Sequence, residues 1–488
     1  MATSITRSTR SSHDDLPEVH GYDDELARLD AVATVEALDR GDLSVAEVTV
    51  AAVRRAQSLD PRIAAVAFER YGTAPSRRDD DRHRGGLDGI PTFIKDMVPV
   101  AGLPMTWGSA ALEGGAAQRR TGGVAHDIER MGMTILGSST MPEWGFIPST
   151  EFPDREPTRN PWNVGRTVGG SSGGAAALVA AGVVPIAHAV DGGGSTRIPA
   201  ACAGLVGLKP TLGRLRRHSD ERLLPVSISV DGVVSRSVRD TARWYAEVER
   251  VHRPRRDMPP IGEVTGPPSR RLRIGVLGAI PEIAVLDTST QDTLEATAAT
   301  LEALGHHVEE MAPPVHPAQF RDDFVDYYRF LVFAATRTAR LTHGAHFRSA
   351  NLTAFTTGMA ESFRSVPHRV VGAARRLRRV SARIAAVHES YDLILSPTLA
   401  TAAPELGYLS PSVDFETLLG RVTCWMTFTP IANAAGTPSI SLPMGFDEAA
   451  KVPVGSMLSA NHGCDALLLQ VAFELERARP WPLSTLAA

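Results

Sequence analysis

The chain has 488 residues, 43% of them apolar and 22% charged, with a formal net charge of −4. That balance suits a soluble globular protein and argues against nonspecific nucleic-acid binding, which needs a basic surface. Three cysteines (Cys202, Cys424 and Cys464) form no CxxC pair and no disulfide framework, which argues against structural zinc and suits a reducing, cytoplasmic setting.

No apolar run free of Pro and Gly reaches the ~18 residues of a membrane span. Neither HExxH nor any dense His/Cys cluster appears, so no metal is expected. Length alone divides into about three domains, with one large α/β domain as the alternative. Met1–His20 is rich in Ser, Arg, His and Asp without an apolar stretch, and reads as a disordered tail rather than a secretory signal. Tyr22–Arg40 and Ser44–Ser58 read as helices. Ser44 with Glu47 makes an S-x-x-E capping box, Val45, Val48, Ala52 and Ala56 share one face, and Pro61 is expected to end the unit. Pro75–Gly86 is a charged loop, Leu87–Ile94 enters the core and delivers Lys95, and Thr134–Leu136 is a short strand. The loop Trp144–Asn163 carries four prolines and is expected to border a site.

Residues 166–214 hold two glycine-rich turns, GGSSGG at Gly169–Gly174 and DGGGS at Asp191–Ser195. Between them, Ala175–Ala181 reads as a helix stopped by Gly182, and Val183–Val190 as a buried strand in which Pro185 marks a strand start or a sheet edge. Glycines flanking a serine let backbone N–H groups converge on one small volume, the geometry of an oxyanion hole or anion nest. No glycine is followed by Lys and then Ser or Thr, so a phosphate loop is excluded. Gly169–Gly173 fits GxSxG with Ser171 at its centre, but the preceding Asn160–Thr167 is polar and turn-like where a nucleophile elbow follows a buried strand. The plain structural alternative is a pair of glycine turns packing helix on sheet.

Downstream, Arg271–Leu277, Thr290–Leu304 and His307–Met311 read as strand, helix and strand, without a GxGxxG turn. His306 and His307 follow a helix stop and are expected to be exposed. Phe320–Phe333 is aromatic at helical spacing, as either a packed helix or a pocket wall. The arginines of Pro367–Ser390 read as a solvated helix face.

Of the 51 Lys and Arg residues only Lys95, Lys209 and Lys451 are lysine. Arginine stays protonated in proteins whereas a buried lysine can lose its proton. Lys451 lies in a polar turn, Lys209 precedes Pro210 and reads as structural, and Lys95 is flanked by apolar residues in GIPTFIKDMVPVAG. Burial would have to bring the Lys95 amine from about 10.4 to about 7 for it to serve as a base near neutrality.

GIPTFIKD, NPWNVGRTVGGSSGG and DGGGSTRIPAACAGLVGLKPT together closely resemble the amidase signature family. SRSVRDTA, SPTLATAAPELG, TFTPIANAAGTPSISLP and VPVGSML extend the match from about Leu43 onward. The resemblance implies a single large α/β/α sandwich over 21–488, with a central mixed β-sheet covered by helices. It also implies a core over about 85–250 and a variable, substrate-side helical section over about 315–390. By motif it implies a Ser–Ser–Lys triad hydrolysing amides without a cofactor: Lys95 as base, Ser171 as the bridging serine held by a cis peptide, and Ser195 as nucleophile. Backbone N–H groups of Gly192, Gly193, Gly194 and Ser195 are then expected to hold the oxyanion, with Ser172, Asp191 and Arg197 as supports. Thr150, Tyr328 and Cys424 are expected at the substrate. Val190 stands where the family has Thr, Thr196 replaces an Ile or Val, and GSSTM replaces GKTNM. The texture lies nearer the branch that opens cyclic or linear amide oligomers than the tRNA-dependent amidotransferase subunit. The expected partner is a small-molecule amide, with neither nucleic acid nor membrane, and a homodimer is a family habit. Glutamine-dependent ammonia transfer within a complex, ester, anilide or carbamate cleavage, and a nonenzymatic binding role are the competing readings.

Overall fold

The computed structural model describes residues 18–73, 86–216, 224–252, 258–280 and 283–482. The strands, in chain order, are β1 (Val66–Glu69), β2 (Pro91–Lys95), β3 (Thr134–Ser139), β4 (Arg159–Asn160), β5 (Asn163–Thr167), β6 (Ile186–Asp191) and β7 (Val206–Lys209). They continue as β8 (Val230–Ser235), β9 (Arg273–Val276), β10 (His307–Glu310), β11 (Leu393–Pro397), β12 (Ser439–Asp447) and β13 (Val452–Ala460). Eight of them form one mixed sheet in the order β10-β9-β11-β13-β12-β7-β8-β6, and β1-β3-β2 form a smaller sheet whose β2 lies against β6. With helices packed on it, this is the α/β sandwich expected, and residues far apart in the chain complete each other's sheet.

Local chemistry accounts for most elements. Ser44 and Glu47 make the capping box, with Ser44 N donating to Glu47 Oε2 (2.8 Å) and Glu47 N to Ser44 Oγ (3.2 Å). The helix behind it, Val45–Ile63, runs through Pro61 instead of ending there. Proline in a last turn forfeits a single intrahelical bond, and the chain leaves that turn through Ala64 at φ 49°. The helix Gly173–Ala180 begins two residues before the expected Ala175 and is buried on every side, so its composition is apolar all round rather than striped. Strand β6 starts just after Pro185 and is the last strand of the large sheet, so both expected roles of that proline hold.

Other expectations change. The tail was drawn to His20, but Val19 is fully buried and donates its N–H to the Pro161 carbonyl (2.8 Å); residues 1–17 lie outside the described residues, as does most of Pro75–Gly86. His306 is buried, not exposed: its Nδ1 accepts from Leu272 N (3.1 Å) and its Nε2 meets Glu474 (2.9 Å). His307 is exposed as expected. The arginine-rich region forms two helices, Arg369–Arg378 and Val380–Val387, with a solvated face from which Arg376 reaches back to the buried Asp323 (2.6 Å).

One close approach positions the two small elements nearest the site. A Cβ on Gly174 would lie 2.4 Å from Thr140 N and 2.6 Å from the Ala65 carbonyl, both backbone atoms. Gly174→Ala is therefore expected to destabilise the protein by about 1–3 kcal/mol, as overpacking against unyielding backbone does, measured as a lower denaturant midpoint at unchanged m-value.

Candidate active site

Strand β2 ends at Lys95, whose side chain is 1% exposed. Its Nζ lies 2.7 Å from Ser171 Oγ, and donates to Ser172 Oγ (3.0 Å) and the Val190 carbonyl (3.4 Å). Burial lowers its pKa from the usual lysine value to about 7, against the opposing pull of Asp191 and Asp231. A neutral amine has two N–H groups and one lone pair. These match Ser172, Val190 and a proton offered by Ser171.

Ser171 follows a cis peptide after Gly170, and Ser172 stands at the N-cap position of the helix Gly173–Ala180, with its side chain turned to Lys95 and Val190 and not to the helix. Ser172 ties the two glycine turns together. Its Oγ accepts from Val190 N (3.2 Å), and its N–H donates to the Ser195 carbonyl (3.2 Å). The GxSxG motif is preceded by a strand after all, β5, but one of a two-stranded ribbon and not of the central sheet. The local context is therefore not that of a nucleophile elbow.

Ser195 closes the second turn and lines the same cavity as Lys95 and Ser171. No hydrogen bond joins its hydroxyl to Ser171 among the described residues, so of the two contacts in a Lys95–Ser171–Ser195 relay only the amine–Ser171 one is formed. Catalytic hydrogen bonds are commonly loose before substrate arrives. Gly192 and Gly193 are half-exposed on the cavity wall, but Gly194 is buried and its N–H is committed to Asp191 Oδ1 (2.8 Å). That removes Gly194 from the expected oxyanion donors.

The turn is held from behind. Arg197 grips Asp191 in a two-pronged pair, Nε to Oδ2 and Nη2 to Oδ1, both at 2.9 Å, and both side chains are fully buried. Burial alone would raise the Asp191 carboxyl; the Arg197 guanidinium overrides it and holds the group well below the usual carboxylate range. Asn433 completes the brace, donating to Asp191 Oδ1 (2.9 Å) and the Ile228 carbonyl (2.9 Å) while accepting from Arg197 (2.7 Å). Thr429 donates to the Gly193 carbonyl (2.6 Å). Sequence reasoning assigned no role to Asn433 or Thr429, although both lie in the TFTPIANAAGTP segment that carried the resemblance. Of the other lysines, Lys451 pairs with Glu448 at the surface, whereas Lys209 is buried and donates to the Pro210 carbonyl (2.9 Å). Burial and the nearby Arg197 bring Lys209 to about 7.

The cavity is about 720 Å³. The long helix Pro317–His343 forms one wall through Phe320, Phe324, Tyr328, Leu331, Ala335 and Thr338, residues three or four apart on one face. Both readings of the aromatic segment hold, because Tyr327 on another face is buried and donates to the Val226 carbonyl (2.6 Å). Of the three residues expected at the substrate, Tyr328 lines the cavity; Thr150 and Cys424 do not. Thr150 is buried behind the first glycine turn, donating to the Gly169 carbonyl (2.9 Å). Cys424 is exposed on the helix Phe415–Trp425, whose Leu419, Val422 and Thr423 take the cavity side instead. From the proline-rich loop, Trp144, Phe146, Ile147 and Pro148 line the cavity as expected.

A buried lysine whose pKa is brought down to about 7, two serines and a glycine turn, set on an α/β sandwich, have the makings of a hydrolase. Residues 47–469 match the family model described as Amidase, and the chain belongs to that family of amide-hydrolysing enzymes. AmiC of Mycobacterium tuberculosis (strain ATCC 25618 / H37Rv), named provisionally as an amidase, is 44% identical over 474 residues, 96% of this chain and 98% of its own. The 6-aminohexanoate-cyclic-dimer hydrolase of Paenarthrobacter ureafaciens is 33% identical over 483 residues, covering 93% of this chain and 95% of its own. Among solved structures, a 6-aminohexanoate cyclic dimer hydrolase complexed with substrate superposes with a TM-score of 0.83 at 29% identity, over 94% of this chain and 98% of its own. A bacterial aryl acylamidase of the amidase signature family gives 0.81 at 25% identity, again over 94% and 98%.

Arg197→Met would strand the Asp191 carboxylate in the interior. The expected loss is about 3–5 kcal/mol of stability, seen in denaturant unfolding, as for other broken buried ion pairs.

Proposed function

We propose that the protein hydrolyses a carboxamide C–N bond through an acyl-enzyme, with Ser195 as nucleophile, Ser171 as proton bridge and Lys95 as base. The observation that carries this reading is the buried Lys95 amine 2.7 Å from Ser171, with Ser195 on the same cavity wall. The Ser195 oxygen attacks the carbonyl carbon as its proton passes to Ser171, and the Ser171 proton passes to Lys95. The developing oxyanion is met by the N–H groups of Gly192, Gly193 and Ser195; one such donor is commonly worth ~3–4 kcal/mol. Lys95 returns the proton through Ser171 to the departing nitrogen, the C–N bond breaks, and water repeats the path on the ester. Asp191, Arg197 and Asn433 hold the second turn without touching a reacting atom, whereas Ser172 also accepts from the Lys95 amine (3.0 Å) and helps to aim it.

The substrate class follows from the wall. Among the described lining residues none is Asp or Glu, and the single arginine, Arg321, already meets Asp322 at 2.9 Å. A bulky, uncharged, apolar amide suits this cavity, because an ionic group entering it would lose hydration without a partner. A cyclic diamide, uncharged like the compound for which the Paenarthrobacter relative is named, fits that description. Free glutamine does not.

Ser195→Ala and Lys95→Met are each expected to lower kcat/KM by roughly 10³-fold or more with a thermal melt near wild type. Turnover surviving in Ser195→Ala would sink the assignment, and a fluorophosphonate adduct mapped to Ser171 would favour the elbow reading. Since the base must be unprotonated, kcat/KM should rise with pH through about 7 and then level off. Across a panel of anilides and aliphatic amides, adding an ammonium or carboxylate to the substrate is expected to cost roughly 100-fold in kcat/KM.

A further inference from the structure

One peptide bond in the second glycine turn is held at both ends. Its carbonyl, on Gly193, accepts from Thr429 Oγ1 (2.6 Å), and its N–H, on Gly194, donates to Asp191 Oδ1 (2.8 Å). The two holders are joined behind it. The Thr429 carbonyl accepts from Arg197 Nη1 (2.9 Å), and Arg197 Nε and Nη2 grip the Asp191 carboxylate, both at 2.9 Å. Together these bonds make a closed circuit around a single peptide, running from Gly193 through Thr429, Arg197 and Asp191 back to Gly194. Thr429, Arg197 and Asp191 are all fully buried. Packing adds to the bonds, since a Cβ on Gly194 (φ 130°) would lie 2.4 Å from Thr429 Oγ1.

The pinned peptide stands between two amides assigned to the oxyanion. The N–H of Gly193 precedes it and the N–H of Ser195 follows it, and neither donates elsewhere among the described hydrogen bonds. The next peptide along is fixed separately, because the Gly194 carbonyl accepts the Ile198 N–H (2.7 Å) in the first turn of the helix Arg197–Ala203. Phe428 and Pro430 line the cavity but Thr429 between them does not, so the Gly193 carbonyl is aimed behind the wall and not at the reacting oxygen. Left free, that carbonyl would not stay there. Both flanking residues are glycine, for which rotation about the peptide meets little steric resistance, and a carbonyl without a partner turns toward any donor it can reach. Gly193 is half-exposed on the cavity wall, so the donor within reach would be solvent in the cavity. Turned that way, the carbonyl dipole would oppose the negative charge forming on the substrate oxygen.

We propose that Thr429 is a positioning residue for oxyanion binding: its hydroxyl closes the circuit through Arg197 and Asp191 and fixes the Gly193–Gly194 peptide, so that the amides of Gly193 and Ser195 converge on the substrate oxygen while the carbonyl between them stays away from it. The proposal rests on the reading of Ser195 as nucleophile. It deepens that reading by assigning the aim of the oxyanion donors to a residue 236 positions from Gly193 that touches no reacting atom. Of the three side chains in the circuit, that of Thr429 is the uncharged one, so it can be changed without stranding a buried ion.

The test compares Thr429→Val, which keeps the shape and loses the hydroxyl, with Thr429→Ser, which keeps the hydroxyl. On a neutral anilide with the full chain, Thr429→Val is expected to lower kcat roughly tenfold or more with KM within about twofold, and Thr429→Ser to stay within about threefold of wild type. Two inhibitors separate aim from packing. An aryl trifluoromethyl ketone is attacked at its carbonyl carbon by the Ser195 oxygen; a C–O bond forms, the former carbonyl oxygen becomes the oxyanion, and the serine proton passes through Ser171 to Lys95. The matching trifluoromethyl carbinol fills the same cavity and forms no bond. In Thr429→Val the inhibition constant of the ketone should rise roughly tenfold and that of the carbinol stay within about twofold. Inhibition constants are read on the folded fraction, so a less stable variant still reports. Ketone and carbinol weakening alike would mean a collapsed pocket and overturn the proposal, as would an unchanged ketone affinity or a Thr429→Ser variant no better than Thr429→Val. Failure of the underlying nucleophile assignment looks different: the ketone would then inhibit wild type no better than the carbinol, and Ser195→Ala would keep its turnover.

Discussion

Taking the Lys95 ammonium out of water carries a large desolvation penalty, and the protein answers it by letting the proton go instead of supplying an ion-pair partner. The amine touches two hydroxyls and one carbonyl, and no carboxylate lies within salt-bridge distance among the described residues. The acidic groups nearby, Asp191 and Asp231, act on it through space and are each engaged elsewhere, one with Arg197 and the other with His188. Much of the surrounding architecture serves to keep that amine dry, pointed at Ser171, and close to neutrality at ordinary pH.

The brace on the second glycine turn answers a related problem. A turn of three glycines and a serine has little side-chain substance with which to hold itself, and glycine loses more freedom on ordering than any other residue. Asp191, Arg197 and Asn433 compensate from outside, with bonds to both the carboxylate and the backbone of Asp191. Because Asp191 takes the Gly194 N–H for this purpose, the turn residues left on the cavity wall with uncommitted amides are Gly192, Gly193 and Ser195 among the described hydrogen bonds. Rigidity of the turn and the number of its free donors are therefore traded against each other. Asn433 and Thr429, at the helix Pro430–Ala435, bring the C-terminal third of the chain into contact with the turn, so the site draws on residues more than 230 positions apart in the chain.

The apolar wall and the polar cluster belong to separate parts of the molecule. The helix Pro317–His343 and the helix Phe415–Trp425 line the cavity with aromatic and aliphatic side chains, whereas Lys95, Ser171 and Ser195 stand at a strand end and on the two glycine turns. Phe324 reaches within van der Waals distance of where a Cβ on Gly193 would sit (3.7 Å), so the apolar wall begins at the second glycine turn itself. One wall can change without moving the other, which is how one acyl-transfer apparatus can be coupled to different pockets.

Residue identity and short-range pattern were enough to determine the capping box at Ser44, the strand that delivers Lys95, the helix between the glycine turns, and the scarcity of lysine that drew attention to position 95. These are local facts, governed by hydrogen bonds and periodicities within a few residues of each other. Motif resemblance added Ser171 and Ser195. Tertiary structure alone decided the rest. Thr150 lies behind a turn and Cys424 on an outer helix face because a side chain's direction depends on how its element is rotated against its neighbours, not on its place in a motif. Gly194 was lost as a donor because Asp191 reached its N–H first. His188 and Asp231, 43 residues apart, meet only because β6 and β8 are paired in register. A sequence states which groups are present and how they repeat; which buried charge faces which amine is set by the sheet, since that distance exists only after the chain has folded.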